Sequence, residues 1–229
     1  MSVLGELQPN KVFKYFEEIC SIPHGSRNLQ QISDYLVDFA KAHELKYRQD
    51  EDLNVIIWKD GSKGYEASEP VILQGHMDMV AVKEADCDKD MEKEGLDLEI
   101  NGDYISAKGT SLGGDDGIAV AYTLAVLDDE EMAHPPIEAI FTVNEEIGML
   151  GAATIDVSDL KGRLFMNMDS EDEGVFTVSC AGGASVICKI PYETEIVNAS
   201  VIEIKMTGFA GGHLSLIHIS EPTRHLRIS

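Results

Sequence analysis

Apolar residues recur at helical spacing in two early stretches of the chain. Val12, Phe13, Phe16, Ile19 and Cys20 fall on one face of a helix read from Asn10, with Asn10 as its expected N-cap and Pro23 just past its end. Leu29, Ile32, Leu36, Phe39 and Ala40 keep the same period and predict a second helix. Beyond them the pattern shortens to runs rich in β-branched and aromatic residues. Residues 54–58, 70–73, 104–107, 137–143 and 163–168 read as strands. Among them, 116–127 places Ile118, Ala119, Tyr122, Ala125 and Val126 on a helical face. Strands mixed with helices predict an α/β fold layered around one sheet.

The pattern changes near the Cys180-Ala-Gly-Gly183 segment. Alternation over 184–190 and 200–206 predicts strands of a second, smaller subdomain. The last stretch, 214–229, reads LSLIHISEPTRHLRIS and reverses the charge sense, with two Arg and one Glu. Its segment SLIHISEPTR resembles a translated sequencing adapter and is set aside from fold and function. The expected division is 1–180, 181–213 and a non-native tail at 214–229.

Charge narrows the partners. The chain carries 18 Lys and Arg against 41 Asp and Glu, a net charge of −23, a field that repels phosphate backbones and anionic lipid heads. Neither nucleic acid nor a membrane is an expected partner. No basic flank followed by an apolar stretch opens the chain, and no uncharged apolar run nears the roughly 18 residues of a membrane span. A soluble, cytoplasmic protein is expected, with 44% hydrophobic residues to build a sizeable core. Cys20, Cys87, Cys180 and Cys188 lack the close pairs of a zinc ribbon and the density of a disulfide scaffold. They read as reduced thiols, with Cys20, Cys180 and Cys188 packed in cores.

Three predicted strands end in groups able to bind a metal ion. Val71-Ile-Leu73 runs into Gln74-Gly-His76-Met-Asp78, Ile137 to Val143 runs into Asn144-Glu145-Glu146, and Leu164 to Met168 runs into Asp169. In an open α/β sheet, ligands bind outside the carboxyl ends of the strands, so these side chains are placed to converge. Asp115 lies in Leu112-Gly-Gly-Asp-Asp-Gly117, just before a helix, where glycines allow close backbone approach. One histidine with several carboxylates suits zinc or a similar divalent ion at a hydrolytic site. His76 and Asp78 share a face at a strand end, so the Asp78 carboxylate is expected to orient the imidazole. Each piece alone has an ordinary reading: a loop histidine, a solvated helix start, a capping aspartate, an exposed acidic loop. His24, His43 and His134 read as loop or helix residues.

Taken in order, GHMDMV, GTSLGGDDG, TVNEEIGMLGA, NMDSEDEG and GGH resemble the aminoacyl-histidine dipeptidases, also called peptidase D or Xaa-His dipeptidases. These are cytosolic members of the co-catalytic zinc exopeptidase superfamily. The segments Ile19 to His24 and Ser179 to Gly183 are similar too, and the resemblance runs from about residue 5 to 213. It implies a three-layer catalytic domain with a mixed, largely parallel sheet, interrupted by an α+β lid or dimerisation subdomain that begins near 181.

The resemblance also implies roles. Asp115 would bridge two zinc ions roughly 3.5–4 Å apart, His76 and Asp169 would complete one, and Glu146 would serve the other. Manganese or cobalt are possible substitutes. Asp78 would orient His76, and Glu145 would act as general base on the attacking water. His213, the histidine of GGH, would contact a dipeptide substrate near its reacting carbonyl, and the lid would support a homodimer. The family's GGH continues as Ser-Gly, whereas Leu214-Ser215 follows here. The family also draws a further zinc-binding histidine from later in its chain, so this sequence is expected to be a truncated piece that folds poorly and has little activity. Within the same superfamily, a deacylase or a carboxypeptidase is the alternative activity; outside enzymes, an acidic metal-binding module is.

Overall fold

Two amphipathic helices open the fold, α1 over Asn10–Cys20 and α2 over Gln30–Ala42. The computed structural model describes residues 2–170, 174–179, 188–191 and 193. The strands expected over 184–190 and 200–206 lie outside these residues, apart from 188–190, which carry no regular structure. Cys180, His213 and the 214–229 tail also lie outside them. Every helix and strand among the described residues belongs to one compact unit that ends at Val178.

In α1, Val12, Phe16, Ile19 and Cys20 are buried, as the spacing predicts, while Tyr15 takes the fifth buried place and Phe13 is only half-buried. The helix starts one residue earlier than expected: Pro9 occupies the N-cap, and the Asn10 side-chain amide donates to the Gly5 carbonyl instead of capping. In α2 the buried stripe is Ile32, Ser33, Leu36, Val37, Phe39 and Ala40.

The strands follow as β1 Lys46–Gln49, β2 Val55–Lys59, β3 Val71–His76, β4 Leu98–Asn101 and β5 Tyr104–Ala107. Then come helix α3 Gly114–Leu127, strand β6 Ile137–Thr142, the short helix α4 Leu150–Thr154 and strand β7 Leu164–Asn167. Five strands form one mixed sheet in the order β1-β2-β6-β3-β7. β1 with β2 and β2 with β6 run antiparallel, whereas β6 with β3 and β3 with β7 run parallel. β4 and β5 form a separate hairpin closed by Gly102-Asp103, where Gly102 takes a left-handed φ of 62° that a two-residue turn requires.

The sequence of β6 explains its central place. Every residue of Ile137–Thr142 is buried, and a near-continuous apolar run is what a strand covered on both faces needs. Of its two polar residues, Glu138 is buried because its carboxylate accepts the backbone N–H groups of Lys161 (3.0 Å) and Gly162 (2.9 Å), tying the approach to β7 onto β6. Glu138→Ala would strand those donors, and a loss of about 2 kcal/mol is expected from urea denaturation. An unchanged midpoint would show that the loop finds other acceptors.

α3 packs between α1 and β3. A side chain at Gly117 would meet the Phe16 ring at 3.3 Å, so this glycine sets the approach of α1. The stripe expected on α3 is not the buried one. Of its members Ala119 is buried, Ile118, Ala125 and Val126 are half-buried and Tyr122 is exposed, while Val120, Leu124 and Leu127 outside it are buried, because an almost uniformly apolar helix carries too little periodicity to fix its orientation. Cys188 is exposed rather than packed. Cys20 is a buried free thiol, its pKa pushed up to about 12 by burial. No described helix is long and apolar enough to cross a membrane.

Candidate metal centre

Parallel pairing places the site. His76, the last residue of β3, lies in register with Thr142, the last residue of β6, and Gln74 pairs with Asn167 at the end of β7. The chain therefore leaves three neighbouring strands at one edge, with Glu145 and Glu146 just beyond β6 and Asp169 just beyond β7. The first turn of α3 adds Asp115 and Asp116, joined by a cis peptide and both non-helical in φ and ψ. A side chain on Gly75 would sit 2.8 Å from the Asp116 carboxylate. Only glycine there lets α3 come down onto β3.

His76 is buried at the centre. Its Nε2 lies 2.9 Å from Asp115 Oδ1 and 3.8 Å from Glu145 Oε2. Its Nδ1 lies 2.9 Å from the Asp78 backbone carbonyl and 3.5 Å from the Asp78 carboxylate. The nearer acceptor is thus the carbonyl, whereas spacing alone points to the carboxylate. The buried Asp78 carboxylate instead accepts the Glu145 N–H (2.9 Å), the Ser26 hydroxyl (2.8 Å) and the Glu146 N–H (3.3 Å).

Two sets of potential ligand atoms share His76, each with its atoms within 4.8 Å of one another: His76, Asp115 and Glu146, and His76, Asp116 and Asp169. All four residues expected as ligands fall in one set or the other, but the shared member is His76 rather than Asp115, and Asp169 is grouped with Asp116. Asp116, to which the motifs assign no role, joins them, and its Oδ2 accepts the His76 backbone N–H at 3.1 Å. Its signal is present in the paired aspartates of GGDDG, but nothing in the sequence tells which carboxylate turns inward. Ser26 carries no signal, since it meets Asp78 across 52 residues. The other described histidines stand apart from these sets. His24 and His134 bond the carbonyls of Ile22 and Pro135, and His43 caps α2 beside Asp128.

Electrostatics mark this as a cation site. Burial pushes Asp116 up to about 8, with the charges of Asp169 and Asp115 adding to it against His76. Burial likewise raises Glu145, Glu146 and Asp169, and neighbouring carboxylates add to each shift. For His76 burial acts downward, yet the hydrogen bond to Asp115, the Asp78 side chain and the charge of Asp116 prevail and raise it to about 11. These shifts all run toward retaining protons, and crowded carboxylates of this kind are stabilised by any positive charge placed among them. An imidazole among carboxylates fits a divalent ion of the zinc type better than calcium or magnesium. A cleft of about 210 Å³ opens onto Asp115, Asp116 and Asp169, walled by Ile118 and Met168.

No family model matches the chain. The cytosol non-specific dipeptidase of Escherichia coli (strain K12) is 39% identical over 215 residues, covering 93% of this chain and 44% of that protein. The crystal structure of an aminoacylhistidine dipeptidase from Vibrio alginolyticus superposes with a TM-score of 0.73 at 40% identity, covering 75% of this chain and 35% of that one. A tripeptidase from Staphylococcus aureus shares the fold, with a TM-score of 0.60 at 23% identity over 73% of this chain and 45% of that one. The chain therefore spans less than half the length of each of these relatives. With near-complete coverage of the chain in sequence and a matching fold around the centre, the chain belongs to the aminoacyl-histidine dipeptidase family.

Proposed function

We propose that these residues form part of a two-zinc centre that hydrolyses dipeptides, Xaa-His among them, with His76, Asp115, Glu146 and Asp169 as ligands and Glu145 as general base. The observation that carries this reading is the place of Glu145. It belongs to neither ligand set, yet its Oε2 lies 3.8 Å from the His76 Nε2 that also meets Asp115. A store for metal has no use for a base beside its ligands. Zinc, when bound, would polarise the peptide carbonyl and make an attacking water more acidic. Glu145 then takes the proton at its carboxylate and delivers it to the leaving amine. Manganese or cobalt would suit the same donors.

The resemblance extends the reading to His213 as a substrate contact and to a homodimer formed through a lid beginning near 181, in a cytoplasmic enzyme. Its division at 180 and the non-native tail at 214–229 belong to the same proposal.

Calorimetric titration of the metal-free chain with Zn²⁺ tests the ligands. Asp115→Ala is expected to weaken uptake by at least about tenfold, and undiminished affinity would remove Asp115 from the set. Activity is read in a chimera with residues 1–213 in place of the matching segment of the Escherichia coli relative, offered dipeptides and N-acyl amino acids. Preference for the acylated compounds would favour a deacylase.

A further inference from the structure

The turn that carries Glu145 is held from two sides. On the far side, the N–H groups of Gly148 and Met149 donate to the Glu145 carbonyl and that of Leu150 donates to the Asn144 carbonyl. On the near side, the N–H groups of Glu145 and Glu146 both end on the Asp78 carboxylate, one on each oxygen. The oxygen that receives the longer of these bonds, Oδ2 at 3.3 Å from the Glu146 nitrogen, also receives the Ser26 hydroxyl at 2.8 Å. Because the Asp78 side chain is wholly buried, its orientation depends on protein donors.

Ser26 is itself fixed. Its N–H donates to the Met79 carbonyl, the Met79 N–H donates to the His24 carbonyl, and the neighbouring Arg27 N–H donates to Asn144 Oδ1 at 2.8 Å. The segment 24–27 thus joins the strand end bearing His76 to the turn bearing Glu145.

We propose that Ser26 is a positioning residue that, through Asp78, holds the Asn144–Glu146 turn where Glu145 acts; the last clause rests on the reading of Glu145 as base. Without the hydroxyl, the Asp78 carboxylate keeps one short and one long bond and can swing about its Cβ–Cγ bond, which loosens both amides. The imidazole of His76 keeps its place, because its Nδ1 rests on the Asp78 carbonyl at 2.9 Å.

Amide hydrogen exchange, followed by NMR on the 229-residue chain without added metal, tests the anchoring directly. In Ser26→Ala, the Glu145 and Glu146 amides are expected to exchange about tenfold faster, the factor for weakening one hydrogen bond to a charged group. Ser26→Thr, which keeps the hydroxyl, is expected to restore slow exchange, and the Ala139 and Phe141 amides of β6 are expected to hold steady in both. Unchanged exchange at Glu145 and Glu146 in Ser26→Ala overturns the proposal. So does equal acceleration in β6, which marks general loosening, or a threonine that fails to rescue. No catalysis is measured, so such a failure leaves the base assignment standing, and a failed base assignment leaves the anchoring standing.

Discussion

Glu145→Gln is expected to lower dipeptide hydrolysis by about 10²–10⁴-fold, the range for loss of a positioned general base, while both metal ions stay bound. The glutamine keeps the size of the side chain and its place at the end of β6, and its backbone N–H still donates to Asp78, so the turn is expected to keep its shape. What it loses is the capacity to take a proton. Since Glu145 is in neither ligand set, metal content measured by atomic emission should match the parent. The chimera with the Escherichia coli relative supplies kcat/KM for the two forms. A variant that kept near-normal turnover with full metal would move the base elsewhere; a variant that lost metal would make Glu145 a ligand.

The second large effect is on stability. The metal-free chain is expected to melt lower at about pH 8 than at about pH 5.5, and zinc is expected to reverse the loss. The sign follows from which state holds more protons. Asp116 is raised from 3.8 to about 8, so between those values the folded chain keeps a proton that the unfolded chain releases, and stability falls as pH rises. His76, raised from 6.5 to about 11, acts in the same sense: its contribution is full below about 6.5 and fades as pH climbs through 11. Glu145, Glu146 and Asp169, all raised, add to the slope.

Beside the centre, two groups act the other way. Burial lowers His24, so it contributes stability that is lost as pH falls through its own range. Asp78 is lowered by its hydrogen bonds against burial, and its contribution is lost only in more acid solution. Asp116 and His76 prevail over this window, and a difference of about 2 kcal/mol, or about 5 °C in melting temperature, is expected. Zinc at a hundredfold excess over its Kd adds about 2.7 kcal/mol and displaces protons as it binds. Scanning calorimetry at both pH values, with and without zinc, reads all of this. A melting temperature that rose with pH in the metal-free chain would contradict the crowded-carboxylate account.

Much of this site can be read along the chain. Strands that end in His76, Glu145–Glu146 and Asp169 announce a shared edge once they are taken as parallel neighbours, and the structure pairs β6 with β3 and β3 with β7 in that way. The buried faces of α1 and α2 are equally legible, because each alternates apolar and polar residues at a clear helical period. β1 and β4 leave no such trace. Each is four residues long, polar in part and half exposed, so neither produces a run that stands out. α3 is hard to orient for the opposite reason, being apolar on nearly every side.

The sequence by itself determined the donor chemistry gathered at the strand ends: one histidine among several carboxylates. It also determined that glycine stands at position 75, though not why. Tertiary structure alone decided the orientations. It turned Asp116 inward beside His76, put the Asp78 carbonyl rather than its carboxylate nearest the imidazole, and brought Ser26 to the freed carboxylate. Local spacing restricts which atoms come near one another along a strand or a helix. Contacts across 40 or 52 residues are chosen by packing, where a buried carboxylate settles on whichever donors the fold delivers to it.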